Sequence, residues 1–324
     1  MPTSRRVILP LLLILLVVAF FCALSLGPSS PDWANLWSSP LIRSIRLPRA
    51  LVALGVGAAL ALAGTILQAI FHNPLADPGI IGVSSGAALG AVIAMVSGAT
   101  ATYHWALPAA AFLGAILTAI LVYAVASRRG ADPITLVLVG IAASAFLGAI
   151  TASLVANAPQ DSDLRGIAFW MNGDLVARQW RHVPMVFLLL LIGVLGIIPM
   201  ARRLDLLLLG EDIAHSTGVN VRRTRFLALA IASLITAGAV SVAGIIGFVG
   251  LVIPHLIRLV IGPRHGLLLP SAAIAGAAFL LFADTLARLW VSPFVFQTGT
   301  MIAFLGSPVF LWLLLRSRGK WSHP

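Results

Sequence analysis

Apolar runs close to twenty residues long recur along this chain with arginines in the gaps between them, and that recurrence limits what the chain can fold into. A helix rises about 1.5 Å per residue, so roughly 20 apolar residues cross a hydrocarbon layer of about 30 Å. Hydropathy places ten spans, at 7–26, 50–71, 81–98, 106–127, 134–156, 183–200, 225–243, 246–261, 267–289 and 298–315. Only Gly244 and its neighbours divide the seventh from the eighth, which is short and carries Pro254, His255 and Arg258. Of the whole chain 60% is hydrophobic and 10% charged. Soluble domains carry about 25% charged residues, so lipid has to be the solvent here. The fold class that follows is all-α, a polytopic bundle of about ten transmembrane helices forming one domain over 1–324.

The net charge of +11 does not point to nucleic acid, because the arginines sit between apolar runs rather than in a basic–aromatic stripe. They set topology and meet anionic membrane lipid. With both termini cytoplasmic, 14 of the 21 basic residues fall inside, and seven (Arg43, Arg46, Arg49, Arg165, Arg178, Arg181 and Arg288) fall outside. Merging the seventh and eighth spans would move Arg316, Arg318 and Lys320 outside, so ten is preferred. The first run, 7–26, exceeds the apolar core of about 7–15 residues in a cleaved signal, which makes Arg5-Arg6 a cytoplasmic anchor. Cys22 is the single cysteine, leaving no disulfide framework and no cysteine–histidine metal cluster.

The spans are rich in Gly and Ala, as in Ala53-Leu54-Gly55-Val56-Gly57-Ala58-Ala59, a composition that lets helix backbones approach closely in lipid. The topology permits spans two to five and seven to ten to be inverted copies, an arrangement common in transporters. Asp284 is the one acidic residue inside a span, and Arg288, four residues on, is its expected local partner. An ion relay needs several such groups along one path, which weighs against a secondary transporter, the alternative reading. No histidine–glutamate zinc pair, nucleophile elbow or phosphate-binding glycine loop occurs, so no catalytic residue, metal site or cofactor is assigned. His72 and His215 fall in polar cytoplasmic segments and read as solvated.

Two polar segments are too particular for ordinary loops. One runs His72-Asn73-Pro74-Leu75-Ala76-Asp77-Pro78-Gly79 and enters a span through Ser84-Ser85-Gly86. The other, about 209–222, opens on Gly210, places Glu211 and Asp212 in a first helical turn, and meets a stop at Gly218 before Val219 and Asn220. A short amphipathic helix there either lies on the membrane or fits a partner's cleft.

Together with Ile45-Arg46-Leu47-Pro48-Arg49 and Gly247-Phe248-Val249-Gly250-Leu251-Val252-Ile253-Pro254-His255, these segments resemble the FecCD-like permeases of type II ABC importers, over roughly 41–316. The resemblance implies ten helices per subunit, a second permease copy as homodimer or related heterodimer, two cytoplasmic ATPase subunits and a periplasmic substrate-binding protein, in a bacterial inner membrane. It makes Glu211, Asp212, His215, Gly218 and Val219 the coupling segment that enters the ATPase cleft. Arg46, Arg49 and Arg288 become docking residues for acids on the binding protein, and Asn73 and Leu75 cytoplasmic gate residues. Two places depart from the family pattern: Asp132-Pro133-Ile134-Thr135 at a second gate, and Phe296-Gln297-Thr298-Gly299-Thr300 before the last span. The expected function is import of an iron–siderophore, heme or cobalamin-like chelate by alternating access, with ATP hydrolysed on a separate subunit.

Overall fold

A computed structural model of the chain describes residues 3–27, 39–128, 132–158, 160–290 and 296–317. In chain order its α-helices are α1 (Thr3–Ser25), α2 (Leu47–Ile70), α3 (Val83–Val96), α4 (Ala99–Thr102), α5 (Ala106–Ser127), α6 (Pro133–Ala156), α7 (Asp161–Met171), α8 (His182–Ile197), α9 (Ala201–Leu207), α10 (Glu211–Ser216), α11 (Val221–Ala243), α12 (Val249–Ile261), α13 (His265–Leu289) and α14 (Thr298–Ser317). No strand occurs among the described residues. Seven helical stretches are long and apolar enough to cross a membrane, and the apolar helices α3, α12 and α14 fill the remaining three expected spans. Of the arginines and lysines used to orient the chain, Arg129, Arg318 and Lys320 lie outside the described residues.

Helix starts follow from local chemistry. The Asp132 carboxylate accepts the Thr135 N–H at 2.9 Å, and Pro133 takes the first helical position of α6. The carboxylate also accepts the Thr135 hydroxyl, and these bonds hold it below the usual range. Asn220 caps α11 by accepting the Arg223 N–H at 2.9 Å.

The α2 helix forms the centre: 89% of its apolar window is buried, against 17% for α6. It packs on α8, α11, α12 and α13. Its small residues allow this. A Cβ on Gly57 would strike the Gly276 carbonyl of α13, and a Cβ on Gly276 would strike the Gly57 carbonyl. The two backbones therefore touch, and dispersion and polar contacts between them replace the hydrophobic force that lipid does not supply.

The two sets of four spans share one length order, long–short–long–long: α2, α3, α5, α6 and α11, α12, α13, α14. They also run in opposite senses. The α2 helix starts beside the end of α13 and finishes beside α9, whereas α11 starts beside α10 and finishes beside residues 170–174. This matches the inverted arrangement that the topology permits. Both short helices begin at a left-handed residue, Gly82 (φ 82°) and Phe248 (φ 64°). At 14 and 13 residues they reach about 20 Å, so irregular backbone completes each crossing. That backbone, at 71–82 and 244–248, lies largely against protein, as a low-dielectric surrounding requires.

Candidate functional site

At one end of the bundle three arginines gather on the end of α13. Arg49, in the first turn of α2, forks onto Asp284, with Nη2 donating to Oδ1 at 2.8 Å and Nε to Oδ2 at 2.9 Å. Thr298, the first residue of α14, donates its hydroxyl to Oδ1 at 2.8 Å. Arg288 stands 3.5 Å from Oδ2 and gives Nη2 to the Ala23 carbonyl at 2.9 Å. Arg46 donates Nη1 to the Leu24 and Ser25 carbonyls at 2.8 and 3.0 Å, capping the C-terminus of α1.

The Asp284–Arg288 pair expected four residues apart is present, and a second arginine makes the closer contact. The principal partner of Asp284 is Arg49, 235 residues away in sequence, and Arg288 is the looser neighbour. A planar fork meeting a carboxylate edge makes two short bonds, the geometry Arg49 reaches from α2, while Arg288 turns its Nη2 to the Ala23 carbonyl. A direct role in docking to acids on a binding protein would place the three arginines at an open surface. Arg46 and Arg49 are instead 5% and 7% exposed, with their guanidiniums turned into the fold. The grouping survives, and three guanidiniums against one carboxylate leave the cluster net positive. Nearby, burial lowers the affinity of the Arg178 guanidinium for its proton, and Asp174 partly restores it.

At the opposite end lies the turn between α2 and α3. The His72 backbone is left-handed at φ 48°, uncommon for a residue with a Cβ. Asn73 accepts the Leu75 N–H on its side-chain oxygen at 2.9 Å, and Asp77 accepts the Gly79 N–H at 2.8 Å. Asn73 and Leu75, the expected gate residues, thus share one turn. The His72 ring then reaches out of the turn, its Nε2 donating to the Leu207 carbonyl of α9 at 2.7 Å.

The expected coupling segment follows α9 directly. Gly210 (φ 115°) opens it, and α10 ends in a Schellman motif: Gly218 N–H donates to His215 O at 2.9 Å and Val219 N–H to Ala214 O at 3.0 Å. Gly218 is left-handed at φ 83°, the stop its sequence position suggests. Ala214 is buried, while Leu209, Asp212, Ile213 and His215 face outward. Glu211 pairs with Arg225 of α11, which ties the helix to the bundle.

Sequence reasoning missed Arg225, Thr298, Asp205 and His265. Asp205 of α9 accepts both the N–H and the Nδ1–H of His265, at 2.8 and 2.7 Å, and so caps α13. Every one of these contacts joins residues that no helical spacing relates. The departure at 296–300 carried the one available signal, a threonine where the family pattern differs. Among the described residues no group of three histidines, cysteines or acids is placed to hold a metal ion.

The sequence model of the FecCD transport family matches residues 15–316. The chain belongs to that family. It is 43% identical over 300 residues to the cobalamin import system permease protein BtuC of Halobacterium salinarum, covering 92% of this chain and 78% of that one. It is 41% identical to the hemin transport system permease protein HmuU of Yersinia pestis, covering 97% and 96%. A siderophore transport system permease of Bacillus subtilis, YfhA, is 39% identical, covering 86% and 83%. A solved metal-chelate type ABC transporter in an inward-facing conformation superposes with a TM-score of 0.89 at 32% identity, covering 96% and 99%. A FecCD chain is a multi-pass permease component of an ABC importer and performs no catalysis itself.

Proposed function

We propose that this chain translocates an iron–siderophore, heme or cobalamin-like chelate from periplasm to cytoplasm by alternating access. It works as one of two permease copies, on two cytoplasmic ATPase subunits, beneath a periplasmic binding protein. The observation that carries this reading is the build of 209–222. Positive-φ glycines bound a short exposed helix, an ion pair holds it to α11, and the preceding helix is bonded to the turn that carries Asn73 and Leu75. A partner that grips α10 has a short bonded path to that turn. A different affinity for two arrangements of the bundle is then enough to shift one to the other.

The second copy has a natural seat on α6, the least buried span, where Ile134, Leu138, Ile141 and Phe146 are all exposed. For the binding protein, the basis is the net positive charge of the Arg46–Arg49–Arg288 cluster. Arg46→Gln keeps an amide donor for the Leu24 and Ser25 carbonyls while removing one charge. We expect slower association of the binding protein and a shallower salt dependence, since net charge that makes no direct contact acts through its long-range field, mainly on association rate. Unchanged kinetics at low and moderate salt would return Arg46 to a purely structural cap.

The deciding experiment is uptake of labelled ferric siderophore, hemin and cobalamin into cells that depend on this permease, with the ATPase partner present or disabled. One chelate should accumulate, and only with a working ATPase. Accumulation that survives loss of the ATPase and follows an ion gradient would establish a secondary transporter instead.

A further inference from the structure

Gln68 stands in the last turn of α2 and is buried, a polar side chain that neither the arginine cluster nor the expected gate uses. Its Nε2 donates to two carbonyls at the start of α12, Leu251 O at 3.0 Å and Gly250 O at 3.4 Å. Both neighbours only accept, so the amide nitrogen has to face them. The reason for a donor there lies four residues along α12. In an α-helix the Gly250 carbonyl accepts the N–H of residue 254, and that residue is Pro254, which has none. In lipid a carbonyl freed in this way needs a donor from a neighbouring helix. Gln68 supplies it across a close backbone approach: a Cβ on Gly64, one turn before Gln68, would strike the Gly250 carbonyl.

The same glycine is where the two broken segments meet. A Cβ on Gly250 would lie 2.7 Å from Cδ of Pro78, which belongs to the segment 71–82. Gly250 itself follows the segment 244–248 by two residues. Gln68 also holds the first segment through its main chain, its carbonyl accepting the Asn73 N–H at 3.2 Å. One residue of α2 therefore grips the turn at 72–79 by its backbone and α12 by its side chain. Its Oε1 is buried with no hydrogen-bond partner. An unmet buried acceptor is a standing cost, so stability alone does not account for an amide at this position.

We propose that Gln68 is the positioning residue that joins the two broken segments, so that a displacement of 71–82 is carried to the first turn of α12 and on to 244–248. This rests on the alternating-access reading above and adds the link between the two ends of the bundle. The His72 bond leads from α9, at the base of α10, into the turn at 72–79. Gln68 carries the displacement onward, out of the first set of four spans and into the second. A bundle whose two ends answered separately would visit arrangements open at both, through which ions leak. A tie between the segments removes those arrangements and leaves the two that alternate.

The test uses the full-length protein, assembled with its ATPase in lipid nanodiscs that expose both faces. Cys22→Ser is the parent for two single reporters. Leu75→Cys reads the turn at 72–79, and Gly247→Cys reads the other break, at an exposed position where a Cβ meets nothing within 4 Å. Thiol-labelling rates are measured with and without a non-hydrolysable ATP analogue. In the parent the two rates should shift in opposite directions, each by at least about threefold. Gln68→Met keeps the length of the side chain and removes both polar atoms. The Leu75→Cys shift should persist in it, since the His72 bond is untouched, and the Gly247→Cys shift should drop below about 1.5-fold. Gln68→Met/Pro254→Ala gives the Gly250 carbonyl an N–H from its own helix. Its thermal stability should return to that of the parent while the Gly247→Cys shift stays lost. Return of that shift in the double variant would reduce Gln68 to a cap on α12. A Gly247→Cys shift that survives Gln68→Met, or loss of both shifts together, would also overturn the proposal. Where Gln68→Met alone does not accumulate, the double variant gives the same reading, and failure of both would make Gln68 purely structural. No shift at either reporter in the parent would overturn the alternating-access reading itself, and this proposal with it.

Discussion

Asp284 is a buried carboxylate in an apolar helix, 1% exposed, and its charge is tolerable only because Arg49, Arg288 and Thr298 converge on it. Removing one partner strands the others. Asp284→Asn should cost about 3–5 kcal/mol, and Arg49→Gln a similar amount, read as loss of thermal stability of the purified protein in detergent. Thr298→Val removes one bond to a charged group and should cost about 2 kcal/mol. The double variant Arg49→Gln/Asp284→Asn should be less harmful than the two single losses added together, because the pair acts as one unit. Strict additivity would show that the two side chains do not share an ion pair. The same cluster shows how far a residue's role can be read from sequence. Asp284 stands out as an intramembrane acid, and the outer arginines stand out against the usual charge bias. That Arg49 rather than Arg288 takes the fork depends on α2 lying against α13, which neither local segment encodes.

At the level of elements, α10 and α2 make different demands on glycine. Gly218 has nothing within 4 Å of an added Cβ, so Gly218→Val strains only the backbone at φ 83°, by about 1–2 kcal/mol. The bundle should still insert and fold, while the Schellman stop loosens and transport per ATP hydrolysed falls. Normal coupling in a normally inserted Gly218→Val protein would remove α10 from the transmission path. Gly57→Leu is the opposite case, because its side chain would have to occupy the space of the α13 backbone. We expect no folded Gly57→Leu protein in the membrane fraction. Gly148→Ala on α6, where a Cβ meets nothing within 4 Å, should accumulate normally. The glycine-rich texture of α2 was visible in the sequence as a sign of close packing. Which glycine meets which helix was not, since every face of α2 carries small residues.

For the whole molecule, the distribution of arginines sets the expectation that both termini face the cytoplasm, with α7 on the periplasmic side. Reporter fusions at Arg318 and Ser162 should therefore report opposite sides of the membrane, and same-side results would discard the ten-span topology. The opposed directions of the two four-helix sets bear on function as well. Two similar units with opposite orientation give a bundle two related arrangements, one open to each side. The broken segments at 71–82 and 244–248 enter it from opposite ends, each beside a short helix, and Pro78 comes up against Gly250 at the start of α12.

The order of the apolar runs, the all-helical class, the polar segments at 72–79 and 209–222 and the Gly218 stop were all legible in the chain itself. Each rests on local information: the hydrocarbon thickness sets run length, and turn and capping chemistry acts over a few residues. Among the described residues α3 and α12 are too short to span alone, because the chain enters those two crossings through irregular backbone that only neighbouring helices can shield. The inward turn of Arg46 and Arg49, the Glu211–Arg225 and Asp205–His265 pairs and the bond from Gln68 to the start of α12 belong to the tertiary structure alone. In lipid an ionised or polar group takes whichever partner packing brings within about 3 Å, and the partner's distance along the chain has no bearing on that choice.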